Sequence, residues 1–79
     1  MPNDTEKILE KAFRKEFGDV DVSDGYQDTL FIMAISNKFK GMDSDKRLQY
    51  MHEIIDSCGL SEEEKKRVVG LYPNTPGEV

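Results

Sequence analysis

Apolar residues recur first at helical spacing, then in strict alternation, then without a break, as the chain runs from its start to residue 35. Ile8, Leu9, Ala12, Phe13 and Phe17 share one broad arc of a helix. Asn3 can cap that helix, with Glu6 three residues on and Asp4 favouring the positive helix end. Glu16 falls inside the apolar arc, so the last turn is expected to fray or swing its carboxylate to water, and Gly18 to stop the helix. Asp19, Val20, Asp21 and Val22 then alternate polar and apolar, the pattern of a strand with one wet face. Ser23-Asp24-Gly25 is a turn signal, and the chain passes through Tyr26 and Gln27 into Leu30–Ile35, so the pair reads as an antiparallel hairpin.

Leu30–Ile35 is the only unbroken apolar run. Its β-branched and aromatic residues between polar flanks suit a central strand. If Leu30, Ile32 and Ala34 face a helix layer, Phe31, Met33 and Ile35 face the opposite way. The first strand has a solvated face while the second is apolar on both. Phe31, Met33 and Ile35, joined by Tyr26 and Tyr72, therefore either form a partner surface or are covered. Cover would come from the C-terminal tail folding back, or from the helices taking this parity and leaving Leu30, Ile32 and Ala34 outside.

Ser36, Asn37 and Lys38 close the strand, and Phe39 and Gly41 form a corner. Asp43 or Ser44 caps a second helix to about Ser57, with Leu48, Met51, Ile55 and Cys58 on one face, Ile54 beside them and Gly59 as the stop. Ser61 and Glu64 form a second capping box over a turn or two of helix. A third strand from Arg67 to Tyr72 is expected in preference to helix continued through Val69, with Pro73 ending it and 74–79 a flexible tail, like residues 1–4. The whole is an α+β domain spanning 1–79, a small three-stranded mixed sheet with helices on one face.

At 79 residues the chain is one modest domain without room for a separate catalytic lobe. No stretch approaches the ~20 apolar residues of a membrane span, and the first residues carry no leader pattern. The lone cysteine cannot form an internal disulfide, which fits a cytoplasmic protein. A net charge of −5 repels phosphate backbones at long range, so nucleic-acid binding requires a local basic patch.

The runs VDVSDG and LFIMAISNKFKGM, Arg47 six positions after Gly41, and a valine-rich strand ending in Thr75-Pro76-x-Glu78 together resemble the BolA-like proteins over Leu9 to Glu78. The resemblance implies an αββααβ fold similar to type II KH domains. It also implies a small adaptor that pairs with monothiol glutaredoxins around a [2Fe–2S] cluster, with some members linked to DNA binding and transcription regulation. This chain departs from the pattern at the ligands. Arg67 stands where the family keeps a cluster-binding histidine, Thr29 falls nearest the variable second ligand, and Leu48 replaces the histidine that usually follows the helix arginine. A guanidinium is a donor only, so Arg67 cannot ligate iron.

His52 and Cys58 are the only soft-metal ligands, and on one helix they point about 120° apart, too far to grip one ion. Cys58 is expected in the core and His52 at the surface, and no metal site or cofactor is expected. One histidine and one cysteine that do not meet build no nucleophile–base pair, so an enzyme is not expected. The G-x-x-G clamp of nucleic-acid-binding KH domains is absent after Gly41. Two readings remain. In the first, a non-enzymatic adaptor, monomeric or weakly dimeric, binds a protein (glutaredoxin-like or otherwise) through Phe31, Met33 and Ile35 or through the corner at Phe39, Gly41 and Met42. In the second, Arg47, Lys65, Lys66 and Arg67, with Lys38, Lys40 and Lys46 nearby, touch nucleic acid weakly, with steep salt dependence.

Overall fold

A computed structural model describes residues 4–78. Helix α1 (Asp4–Phe17) leads into strands β1 (Asp19–Asp24) and β2 (Leu30–Ile35). Helices α2 (Ser44–Ser57) and α3 (Glu62–Lys66) follow, then strand β3 (Val68–Asn74), with short 3-10 turns at 26–28, 37–39 and 76–78. The cap expected at Asn3 lies outside the described residues.

Gly18 ends α1 at φ +88°, a conformation glycine adopts without steric cost, and its N–H donates to the Arg14 carbonyl at 2.8 Å. β1 and β2 pair antiparallel from Asp19 opposite Ile35 to Asp24 opposite Leu30. β3 returns parallel to β2, giving the order β1-β2-β3. Val68 is opposite Leu30 and Gly70 opposite Phe31, so Val69 is an extra residue that bulges the edge strand outward and leaves its side chain exposed.

The parity expected of β2 is the one observed. Leu30, Ile32 and Ala34 are fully buried against Leu9 and Phe13 of α1 and Met51 and Ile55 of α2, while Val20, Val22 and Leu60 complete the same core. Both long helices therefore lie on one side of the sheet. Asp43 caps α2 by accepting from the Lys46 N–H at 2.9 Å, and Ser61 and Glu64 close a complete capping box on α3.

Four expectations need correction. β3 starts at Val68, because Arg67 still belongs to the end of α3, and it runs through Pro73 to Asn74. Proline is tolerated because β3 is an edge strand. The Pro73 carbonyl faces Arg47, away from β2, so its missing N–H lies on the unpaired side too. Glu16 does not swing free. Its Oε1 accepts from Tyr50 Oη at 2.8 Å and from Lys38 Nζ at 3.3 Å, pinning the last turn of α1 to α2 and the corner. Cys58 is half-buried at the end of α2 instead of enclosed, and Leu48 is exposed on the flank of that helix.

Candidate functional site

The outer face of the sheet carries a grid of side chains that no helix among the described residues covers. Reading across from β1 to β3, one row is Asp19, Ile35 and Asn74, the next Asp21, Met33 and Tyr72, the last Ser23, Phe31 and Gly70. The middle column is apolar, the β1 column is acidic, and Tyr72 extends the apolar part onto β3. Met33 is 39% exposed and Tyr72 49%. Phe31 lies flat and half-buried across the face, its ring between Gly25 and Gly70, where an added Cβ would run into it. Tyr72 stacks beside it with ring centroids 6.4 Å apart and planes 27° apart. The glycine inside β3 was the signal for this seat, since a strand glycine often marks close approach of another group. Sequence reasoning had placed Tyr26 with this patch; it stands 83% exposed on the hairpin loop.

The corner contributes less than expected. Phe39 is completely buried, with its ring 4.7 Å from Phe17 and 6.0 Å from Tyr50, so it is a core side chain and offers nothing to a partner. Ser36 Oγ accepts from the Lys38 N–H at 3.1 Å and holds the turn. Gly41 sits at φ +83°, exposed, and Met42 is half-buried against the core. Behind the corner, Arg47 donates to the Met42 carbonyl at 3.0 Å and grips the Glu78 carboxylate with both terminal nitrogens, at 2.7 and 3.1 Å. Arg47 and the Thr75 N–H hold Glu78 down to about 2. The C-terminal turn is thus fastened beside α2, away from Phe31 and Met33.

The four basic residues named for nucleic acid do not converge. Arg47 contacts Pro73 and Glu78 at one end of β3, and Arg67 precedes the other end, ~20 Å of strand away. Lys65 reaches Asp56 at 3.3 Å and Glu62 at 3.5 Å, and Lys66 is exposed.

Around the positions that the sequence resemblance gives to cluster ligands, Arg67 Nε donates to the Asp28 carbonyl at 2.8 Å and Thr29 Oγ1 to the Tyr26 carbonyl at 2.7 Å. Arg67 thereby braces a loop in which Gln27 (φ 56°) and Asp28 (φ 62°) are both left-handed, a costly conformation for residues with side chains. Burial, and after it the neighbouring Asp24, raises the Glu6 carboxyl at the start of α1 above its ordinary value. None of this donor set is a thiolate or imidazole, so it does not fit a [2Fe–2S] cluster. Among the described residues, no three His, Cys, Asp or Glu side chains are placed to hold a metal ion. Cys58 is on the other side of the helix layer, where burial pushes its thiol up and its S–H donates to the Ile55 carbonyl.

Helix, hairpin, two helices and a last strand returning beside the second define an α+β domain with a mixed three-stranded sheet. Solved structures place it more closely: the chain has the BolA-like fold. It is similar to BolA1 from Arabidopsis thaliana, with 18% identity and a TM-score of 0.72 over 100% of this chain and 99% of that one. It is also similar to the BolA domain of SufE1 from Arabidopsis thaliana, with 19% identity and a TM-score of 0.75 over the whole of both. No protein-family model and no curated protein matches the sequence.

Proposed function

We propose that the protein is a non-enzymatic adaptor that binds a protein partner through the outer face of its sheet, in the manner of a BolA-like protein that no longer shares a cluster with that partner. The observation that carries this reading is the apolar cluster of Phe31, Met33 and Tyr72, uncovered by any helix among the described residues and bordered by Asp19 and Asp21. Exposed apolar surface rimmed by charge is characteristic of interaction sites. The face of three short strands measures only ~300 Å², against ~800 Å² per partner in a stable interface. The complex is therefore weak, or it recruits the loop at 25–29 and the exposed corner around Gly41.

A glutaredoxin-like partner is the first to test, because the fold suggests it and the arginine at residue 67 alters how it would be met. A partner pairing directly with this face needs no metal, so titration of the metal-free chain with a metal-free monothiol glutaredoxin, followed by amide chemical shifts, should show perturbation centred on residues 31–35 and 72. Met33→Asp should weaken binding about tenfold or more, since it puts a charge into a desolvated contact and a second acid beside Asp21. Perturbation confined to other surfaces, or binding unaffected by Met33→Asp, would remove the sheet face from the function. No observation favours the nucleic-acid reading over this one.

A further inference from the structure

The helix layer carries a second apolar surface on the side turned away from the sheet. Two adjoining depressions of about 360 and 300 Å³ both include Ala12, Lys15 and Cys58. They form one groove along the seam of α1 and the C-terminal half of α2. Ile8, Ala12, Ile54 and Cys58 form its floor, and Ile8 is 39% exposed although it belongs to the arc assigned to the core.

Its two lips differ in charge. On α1, Lys7, Lys11 and Lys15 stand one turn apart, a ladder spanning ~12 Å. All three are exposed, and none has a carboxylate within salt-bridge distance among the described residues. The other cations of α1 and its neighbours are committed elsewhere: Arg14 to Glu10 and the Val20 carbonyl, Lys38 to Glu16, Lys65 to Asp56. The opposite lip is Ser57 and the C-terminal end of α2, neutral to negative, while Glu16, which lines the groove from α1, is tied to Tyr50 and Lys38. In a chain of net charge −5, three uncompensated lysines in register beside an apolar floor are unexpected on solubility grounds alone.

We propose that this groove docks an acidic amphipathic helix from a partner protein. The partner's apolar stripe lies on Ile8, Ala12, Ile54 and Cys58, and its Glu or Asp residues, spaced i and i+4, run beside the lysine ladder. The charge difference between the lips sets the orientation: the acidic edge faces α1 and the uncharged edge faces α2. This site is independent of the sheet face, so either can fail without the other.

The test uses the full chain and a capped 16-residue helical peptide with leucines at i, i+3, i+4 and i+7 and glutamates along one flank. Fluorescence anisotropy at low salt reads binding, and protection of Cys58 from a neutral alkylating reagent reads location. Expected results are saturable binding that weakens with salt, slowed alkylation of Cys58, and a loss of about tenfold in the double variant Lys11→Glu with Lys15→Glu. Lys11→Gln with Lys15→Gln should give a smaller loss, and Lys46→Glu, remote on α2, should give none. Circular dichroism confirms folding of each variant. Three results overturn the proposal: no binding at any salt, equal binding to wild type and both double variants, or Cys58 left unprotected. Protection by anionic vesicles or single-stranded RNA, with none from the peptide, overturns it in favour of a membrane or nucleic-acid surface.

Discussion

Gly70 shows how a single backbone position shapes a surface. Phe31 lies flat because there is no Cβ beneath its ring, and Gly25 leaves the space at its other edge. Gly70→Ala would force the ring up and press on Tyr72, so it should destabilise the fold by about 1–3 kcal/mol, the usual cost of overpacking a filled site. Urea unfolding measures that, and an unchanged midpoint would show the ring to be mobile. Gly25→Ala meets the same ring and also Thr29 Oγ1; its φ of −108° is open to any residue, so its cost is steric alone. At this scale the sequence told which residues face outward but not how they lie. Alternation assigned Phe31 to the outer parity, yet its half-burial depends on one glycine in the adjoining loop and another on a distant strand. Phe39 was misjudged for a similar reason: a lone aromatic between polar residues reads as surface until a second helix arrives to enclose it.

Short elements depend on their ends. Helix α3 has only five residues, too few for propagation to offset its nucleation. It persists because Ser61 Oγ accepts from the Glu64 N–H at 3.2 Å and Glu64 Oε1 from the Ser61 N–H at 3.1 Å. The other oxygen of Glu64 accepts from Thr5 Oγ1 of α1 at 2.5 Å. Ser61→Ala should therefore cost about 1 kcal/mol, and Glu64→Ala more, because it removes the cap and the tie to α1 together. Equal losses for both would mean that the tie contributes nothing. The box itself was legible as S-x-x-E, being local; the Thr5 tie joins residues at opposite ends of the chain and was not. Strand β3 divides the same way. Its valines and tyrosine announced a strand, but its passage through Pro73 depends on its being the edge of the sheet, which only the parallel pairing with β2 decides.

For the whole molecule, the contacts that join distant parts are mostly carboxylates, and this fixes how the fold responds to acid. Glu16 links α1 to α2 and the corner, Glu64 links α3 to α1, and Glu78 links the C-terminal turn to Arg47. Hydrogen bonds lower all three: to Tyr50 and then Lys38 for Glu16, to Thr5 and then Ser61 for Glu64, to Arg47 and then Thr75 for Glu78. A carboxyl that is lower in the folded chain than in the unfolded one stabilises the fold above its unfolded value, and that contribution is lost as pH falls through the folded one. Glu6 is raised, so it works in the opposite sense and makes the fold slightly less stable near neutrality than at low pH. Three lowered groups outweigh one raised group, and Glu78, held down to about 2, sets the lower limit of the window. The urea midpoint should hold steady from neutral pH to about 5 and then fall continuously toward pH 2. Arg47→Met, which keeps the side chain's apolar length but frees Glu78, should lower the plateau and flatten the slope between about pH 4 and pH 2. A parallel, uniformly shifted profile in that variant would mean that the Arg47–Glu78 pair plays no part in acid lability, and would leave Glu16 and Glu64 to account for it.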